Sequence, residues 1–205
     1  MTELPICAHC ERPALYQDRT TGDMLCLDHV RLEVRGPRAP VGARAEQLRF
    51  RRSESADREV IRQMWEHFWE DTAMDCFGKL YQAADLPALL ACDGEQVVGL
   101  LSYAVERVWD AVNLVALNVL AGYQGQGIAA GLIARLEDEA RRLGINRLIV
   151  ATANDNPLAL YFYQRIGFQL TGVQVGVIPP DGGGDALVGL AGIPVRDEIQ
   201  LEKRL

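Results

Sequence analysis

Val119-Leu120-Ala121-Gly122-Tyr123-Gln124-Gly125-Gln126-Gly127-Ile128-Ala129 stands between an apolar run over 112–119 and a stretch over 128–143. In that second stretch Ile128, Leu132, Leu136 and Leu143 recur at helical spacing, and Gly144 supplies the usual left-handed stop. The glycines between the two break both periodicities, so the segment joins a strand to a helix through a loop. A helix start presents N–H groups without intrahelical acceptors and the positive end of the helix dipole. Gly125 and Gly127 remove the Cβ atoms that would hold an anion away from the backbone. The loop therefore suits a phosphate or pyrophosphate. A tight connection without a ligand is the competing reading, because neither the dinucleotide-binding glycine fingerprint nor the Gly-Lys-Ser/Thr of a P-loop is present.

Outward from this loop the pattern alternates. A strand is expected over 48–51 and a helix over 55–73, with Ile61, Met64, Trp65, Phe68 and Thr72 on one face. Apolar runs over 89–92 and 96–105 flank Asp93-Gly94, a hairpin signal. Downstream, Leu148-Ile149-Val150-Ala151 suits a strand buried on both faces. Asn156-Pro157 then opens a helix with an N-cap side chain and proline at the first helical position. Strands over 168–175 and 198–204 close the chain around a Gly/Pro-rich excursion over 176–194. Three consecutive strands in the middle exclude a regular doubly wound sheet. The expected fold class is α/β (α+β) with a mixed sheet.

A second stretch, Asn156-Pro157-Leu158-Ala159-Leu160-Tyr161-Phe162-Tyr163-Gln164-Arg165-Ile166-Gly167-Phe168, makes the pattern specific. Together with the loop it resembles the Gcn5-related N-acetyltransferase (GNAT) family over 48–205. The family's Gln/Arg-x-x-Gly-x-Gly/Ala stands here as Gln124-Gly125-Gln126-Gly127-Ile128-Ala129, and its later pattern as Asn156, Ala159, Tyr163, Gly167 and Phe168. The resemblance implies a mostly antiparallel mixed sheet flanked by helices, and acetyl-CoA held in a splay between the 112–119 and 147–152 strands. Backbone groups of Leu117 and Val119 would pair with the pantetheine arm, and the amides of Gln124, Gly125, Gln126, Gly127, Ile128 and Ala129 would hold the pyrophosphate. Asn156 resembles the side chain that contacts the cofactor and is equally an N-cap. Tyr163 resembles the general acid that protonates the leaving thiolate; a core aromatic beside Tyr161 and Phe162 is the plainer reading. In this scheme an amine attacks the thioester, the Val119 N–H stabilises the oxyanion, and a phenol of pKa near ~10 supplies the thiolate's proton.

The likeness thins at the general base. Many family members carry a Glu on the central strand, whereas Asn113-Leu114-Val115-Ala116-Leu117-Asn118 has no carboxylate. Glu106 and Asp110, in or beside the turn before it, are the nearest acids in sequence; either could reach the site, with solvated turn acids as the plainer reading. A water polarised by Asn113 or Asn118 is the other option. The acceptor pocket is expected from Trp65 to Asp71 and from 176–194, with Trp65 and Phe68 in the core. Glu66, His67, Glu70 and Asp71 lie off the apolar stripe, as an attractor for a cationic amine or as a solvated face.

The N-terminus adds a separate signal. Cys7-x-x-Cys10 and Cys26-x-x-His29 form a four-ligand zinc pattern resembling small zinc-ribbon, treble-clef or B-box-like modules. Residues 1–35 hold too little apolar surface for a core, so the metal would supply the folding free energy. A cysteine-bearing disordered tail is the alternative. Cys76 and Cys92 lack ligand spacing and are expected to pack as small hydrophobes. Two prolines and two glycines over 35–42 mark a linker, giving a zinc-binding module over 1–35, a linker over 36–47 and an acetyltransferase domain over 48–205.

Composition sets the outer limits. The 205 residues are 49% hydrophobic and 24% charged, with a net charge of −7, which is ordinary globular make-up. The first 47 residues carry 6 basic and 7 acidic side chains and the remainder 15 and 21, so the charge belongs to the larger segment. A pI of about 5.0 argues against a broad nucleic-acid-binding face. No apolar run approaches the ~20 residues of a membrane span. The first residues lack a secretory pattern, and the odd cysteine count disfavours a disulfide framework, so a cytoplasmic protein is expected. The functional expectation is an acetyl-CoA-dependent N-acetyltransferase acting on a primary amine, with structural zinc and with a homodimer or protein partner met through the zinc module. The alternative is a non-catalytic acyl-CoA sensor using that module to bind a partner.

Overall fold

A computed structural model of the chain describes residues 6–8, 16–17, 24–25, 48–180 and 187–205. Its centre is a seven-stranded sheet made from β3 (Arg49–Arg52), β6 (Ala88–Asp93), β7 (Gln96–Glu106), β8 (Ala111–Val119), β9 (Arg147–Ala153), β10 (Gln169–Gln174) and β11 (Glu198–Arg204). The spatial order is β10-β11-β9-β8-β7-β6-β3, and every neighbouring pair is antiparallel except β8 with β9. The mixed, mostly antiparallel sheet is the one expected.

Two apolar layers cover the sheet. On one face α2 (Ile128–Arg142) and α3 (Pro157–Arg165) pack against Val112, Leu114, Leu148, Val150 and Leu201. On the other, α1 (Arg58–Trp69) buries Ile61, Met64 and Trp65, a spacing of three and four residues that lines one side of a helix. Trp65 is fully buried, and its indole N–H donates to Ser102 Oγ at 3.1 Å, so its one polar atom is satisfied. Cys76 and Cys92 are buried in this second layer, as small hydrophobes would be.

The helix expected over 55–73 is shorter. Residues Ser55–Asp57 form a 3-10 turn, α1 ends at Trp69, and Glu70 adopts φ 56, the left-handed conformation that closes a helix. Asp71 Oδ1 then accepts the amides of Thr72 and Ala73 at 2.6 and 3.1 Å, taking backbone donors a helix would need. The chain turns into a hairpin that the periodicity did not reveal, β4 (Ala73–Cys76) with β5 (Lys79–Gln82), pivoting on left-handed Phe77 and Gly78. Thr72 therefore does not extend the stripe of α1.

At the start of α1, Arg51 donates twice to Asp57, NH1 to Oδ2 and NH2 to Oδ1, each at 2.6 Å, and Asp57 Oδ2 also accepts the Glu54 amide. The paired guanidinium holds the Asp57 carboxyl below the usual range against the opposing effect of burial. Asp57→Ala is expected to lower stability by about 2 kcal/mol at neutral pH, because a partly buried Arg51 loses its partner. The contribution is complete above the unfolded-state value near ~4 and disappears as pH falls through the lower folded-state value. Urea titrations at pH 7 and pH 3 check it: the gap between wild type and variant should be wide at the first and narrow at the second.

At the N-terminus, β1 (Tyr16–Gln17) pairs antiparallel with β2 (Met24–Leu25), and the Ala8 amide donates to Met24 O at 2.7 Å. Among the described residues no helix is long and apolar enough to cross a membrane.

Candidate active site

The parallel ladder between β8 and β9 is short. It runs from Val112 with Leu148 to Leu114 with Val150 and stops. At the same level β8 carries a bulge: Leu114 faces Tyr103 and Ala116 faces Ser102, leaving Val115 as the extra residue. A bulge bends and twists its strand. β8 therefore turns aside with β7, while β9 stays with β11 as far as Ala153 opposite Glu198. A cleft opens inside the sheet, walled by the ends of β8 and β9.

Strand alternation sets which backbone groups face it. The Leu120 amide donates to Val98 O at 2.9 Å, so residues 116, 118 and 120 turn toward β7 and Leu117 and Val119 turn outward. Val119 O accepts the Gln124 side-chain amide at 2.9 Å, which ties the loop to the strand end. The loop begins as a 3-10 turn over Ala121–Tyr123, and the Tyr123 hydroxyl donates to Asp93 in the β6–β7 turn at 2.9 Å. Gly125 and Gly127 then take φ 73 and φ 82. Gly127 is the N-cap of α2 and offers no side-chain cap. The first bond back is Gly131 N to Gly127 O, and the amides of Ile128, Ala129 and Ala130 make none of the described loop or cap bonds. A row of donors with the helix dipole behind it thus opens beside the cleft.

On the far side Asn156 caps α3, its Oδ1 accepting the Ala159 amide at 3.1 Å with Pro157 next in line. Its neighbours have a role that the sequence did not signal. Asn154 Oδ1 accepts the amides of Arg196 and Asp197, its Nδ2 donates to Pro194 O, and Asp155 Oδ2 accepts the Leu190 amide. These bonds fasten the returning segment to the start of α3. Tyr163 is 7% exposed, with the rings of Phe162 and Phe168 each 5.4 Å from its own. Burial alone pushes its phenol above the ordinary value of 10, with no hydrogen-bond partner contributing among the described residues.

The opposite face of the cleft belongs to α1 and the β4–β5 hairpin. Asn118 Oδ1 accepts the Trp69 indole N–H at 3.1 Å, and the Asn113 amide approaches Cys76 Sγ at 3.5 Å. Glu106 is a correction to the sequence reading: it is 9% exposed, accepts from Lys79 and Tyr81 at 2.6 and 2.8 Å, and is no solvated turn acid. The reason is the hairpin, which folds over the end of β7. Asp110 is exposed, as expected. On α1, Glu66 is paired with Arg62, Asp71 is engaged by backbone, and Glu70 is exposed. Glu198 on β11 was not singled out. It is 7% exposed, its Oε2 accepts the Phe77 amide at 2.9 Å and its Oε1 accepts Gln200 Nε2 at 2.8 Å. Period two in Glu198-Ile199-Gln200-Leu201 puts both polar residues on one face, which was the available signal.

Of the four expected zinc ligands, Cys10, Cys26 and His29 lie outside the described residues. Cys7 is described and buried, 5% exposed. Among the described residues, no three of His, Cys, Asp or Glu group as a metal site.

The sheet thus parts internally beside the uncapped start of α2. The acetyltransferase (GNAT) family model matches residues 57–168, and the chain belongs to that family: it is an acyltransferase. It is similar to an L-methionine sulfoximine/L-methionine sulfone acetyltransferase of Salmonella typhimurium, 27% identical over 147 residues, covering 63% of this chain and 86% of the relative. An L-amino acid N-acyltransferase of Escherichia coli is 27% identical over 139 residues, covering 60% and 80%. The fold matches an acetyltransferase of the GNAT family from Elizabethkingia anophelis with acetyl-CoA bound, at TM-score 0.59 and 16% identity, over 78% of this chain and 99% of that one.

Proposed function

We propose that the chain transfers the acetyl group of acetyl-CoA to a primary amine, and that an amino-acid-like α-amine, as named for two relatives, is the first acceptor class to test. The observation that carries this reading is the cleft between β8 and β9 with the uncapped start of α2 beside it. The amides from Gly125 to Ala129 receive the pyrophosphate, that of Gln124 being bonded to Ala121 O at 3.3 Å, and the outward backbone of Leu117 and Val119 receives the pantetheine arm as an added strand. Asn156 orders the start of α3 at the cofactor. When the amine attacks, the Val119 N–H meets the developing oxyanion. Tyr163 then gives its proton to the departing thiolate; a phenol with a raised pKa keeps that proton through the neutral range. Thiol release from acetyl-CoA, measured with amino acids, polyamines, aminoglycosides and lysine peptides, tests the reading. Turnover with an amine supports it; CoA binding with no turnover of any amine points to the acyl-CoA sensor instead.

We further propose that residues 1–35 form a unit around one structural zinc held by Cys7, Cys10, Cys26 and His29. The described fragments fit this set. The Ala8 amide bonds Met24 O, Gln17 pairs with Met24 and Tyr16 with Leu25, and Cys7 is buried. Thiolate and imidazole suit tetrahedral zinc, which would supply the cross-link this short segment needs. Elemental analysis of tag-free protein is expected to give about one zinc per chain, falling below ~0.2 in Cys26→Ser. Metal-free protein with the segment still folded would overturn it.

A further inference from the structure

We infer that Glu198 is the group that receives the acceptor's ammonium and takes its proton, filling from β11 the place left without a carboxylate on β8. The inference rests on the acetyl-transfer reading above. Three observations carry it. Glu198 lies on the same face as α1 and the β4–β5 hairpin, away from the layer that contains Tyr163, as its bond to the Phe77 amide requires. It stands directly opposite Ala153, and Gln200 opposite Ala151, on the part of β9 that β8 has left. On this stretch of β9 the side chains beside Glu198 and Gln200 are thus the methyl groups of Ala153 and Ala151. Finally, Glu198 is buried and, among the described residues, accepts two hydrogen bonds for its roughly four lone-pair sites, from Phe77 and Gln200. A buried carboxylate so oriented has acceptor capacity left for an N–H donor arriving from the cleft.

The other carboxylates on this face are paired with a cation or exposed. Glu106 is engaged by Lys79 and Tyr81, and Glu66 by Arg62. Asp71 is engaged by two backbone amides.

The chemistry needs a proton acceptor on one side of the thioester and a proton donor on the other. The ammonium R–NH3+ gives one proton to Glu198, and the nitrogen lone pair then forms the C–N bond at the thioester carbon. Collapse breaks the C–S bond, and the thiolate takes the proton of Tyr163. The nitrogen's second proton leaves through solvent and restores Tyr163, and Glu198 returns its proton to solvent. One amide, one thiol and one proton result.

The test is thiol release by wild type, Glu198→Gln and Glu198→Asp between pH 6.5 and 9.5. Two acceptors are used: the best primary amine of the panel above and 2,2,2-trifluoroethylamine, whose fluorines lower its basicity enough to leave it largely neutral at pH 8. Glutamine keeps an oxygen for the Phe77 amide. With the primary amine, Glu198→Gln is expected to lose about 100-fold in kcat/KM at pH 7 and to recover as pH rises toward the amine's own pKa. With trifluoroethylamine at pH 8 the loss should be under about 5-fold, and Glu198→Asp should restore part of the amine activity. The CoA-induced rise in Tm should match wild type. Equal kcat/KM for wild type and Glu198→Gln would overturn the inference, as would an equal loss for both acceptors at every pH. A wild type that releases thiol with none of the amines overturns the acetyl-transfer reading, and this inference with it.

Discussion

Replacing Gly127 with valine is expected to weaken CoA binding by about 100- to 1000-fold while leaving the protein folded. Gly127 holds φ 82 at the N-cap of α2, and a Cβ built there meets no atom within 4 Å. The glycine is thus set by backbone conformation and not by packing. A β-branched residue strongly resists the left-handed region, at a cost of roughly 1–2 kcal/mol or more. The chain can keep that conformation under strain, or rotate and turn its amides away. Rotation forfeits charge-assisted bonds to phosphate, worth about 1.5–3 kcal/mol each. Either response falls on the loop that we assign to the pyrophosphate. Isothermal titration with CoA checks the loss, and Gly127→Ala should fall between the two. Affinity within 3-fold of wild type would remove the loop as the phosphate site.

Tyr163→Phe is expected to lower kcat by about 100- to 1000-fold with CoA affinity unchanged. The variant keeps the ring contacts to Phe162 and Phe168 and removes a hydroxyl whose titration is shifted by burial alone, with no hydrogen-bond partner contributing among the described residues. Stability should therefore barely move, which separates the general-acid role from a packing role. Without the phenol, the thiolate must leave unprotonated or wait for water. An unchanged kcat would return Tyr163 to the core aromatic reading.

Much of this architecture was legible because local rules and tertiary structure agree. Gly144 and Asn156-Pro157 bound α2 and α3 where capping chemistry puts them, and the strand over Glu198–Arg204 lies where its alternation falls. The helix ahead of the β4–β5 hairpin was overextended because Thr72 continues a helical spacing, while the Asp71 side chain claims the amides that would have continued the helix.

The acid composition also reads differently in three dimensions. Turn acids are solvated by default, yet Glu106 is covered by a hairpin that precedes it in sequence. Glu198 lies far along the chain from both glycine motifs and reaches the cleft only through the pairing of β11 with β9.

The sequence by itself determined the glycine-rich strand-loop-helix connection, the capped helix bearing Tyr163 and the family they point to, because glycine conformation, capping and side-chain period are local properties. The tertiary structure decided where the sheet parts and which carboxylates line the cleft. A bulge at Val115 and the register of β11 against β9 are long-range pairings, set by how distant strands meet and not by any one stretch of chain.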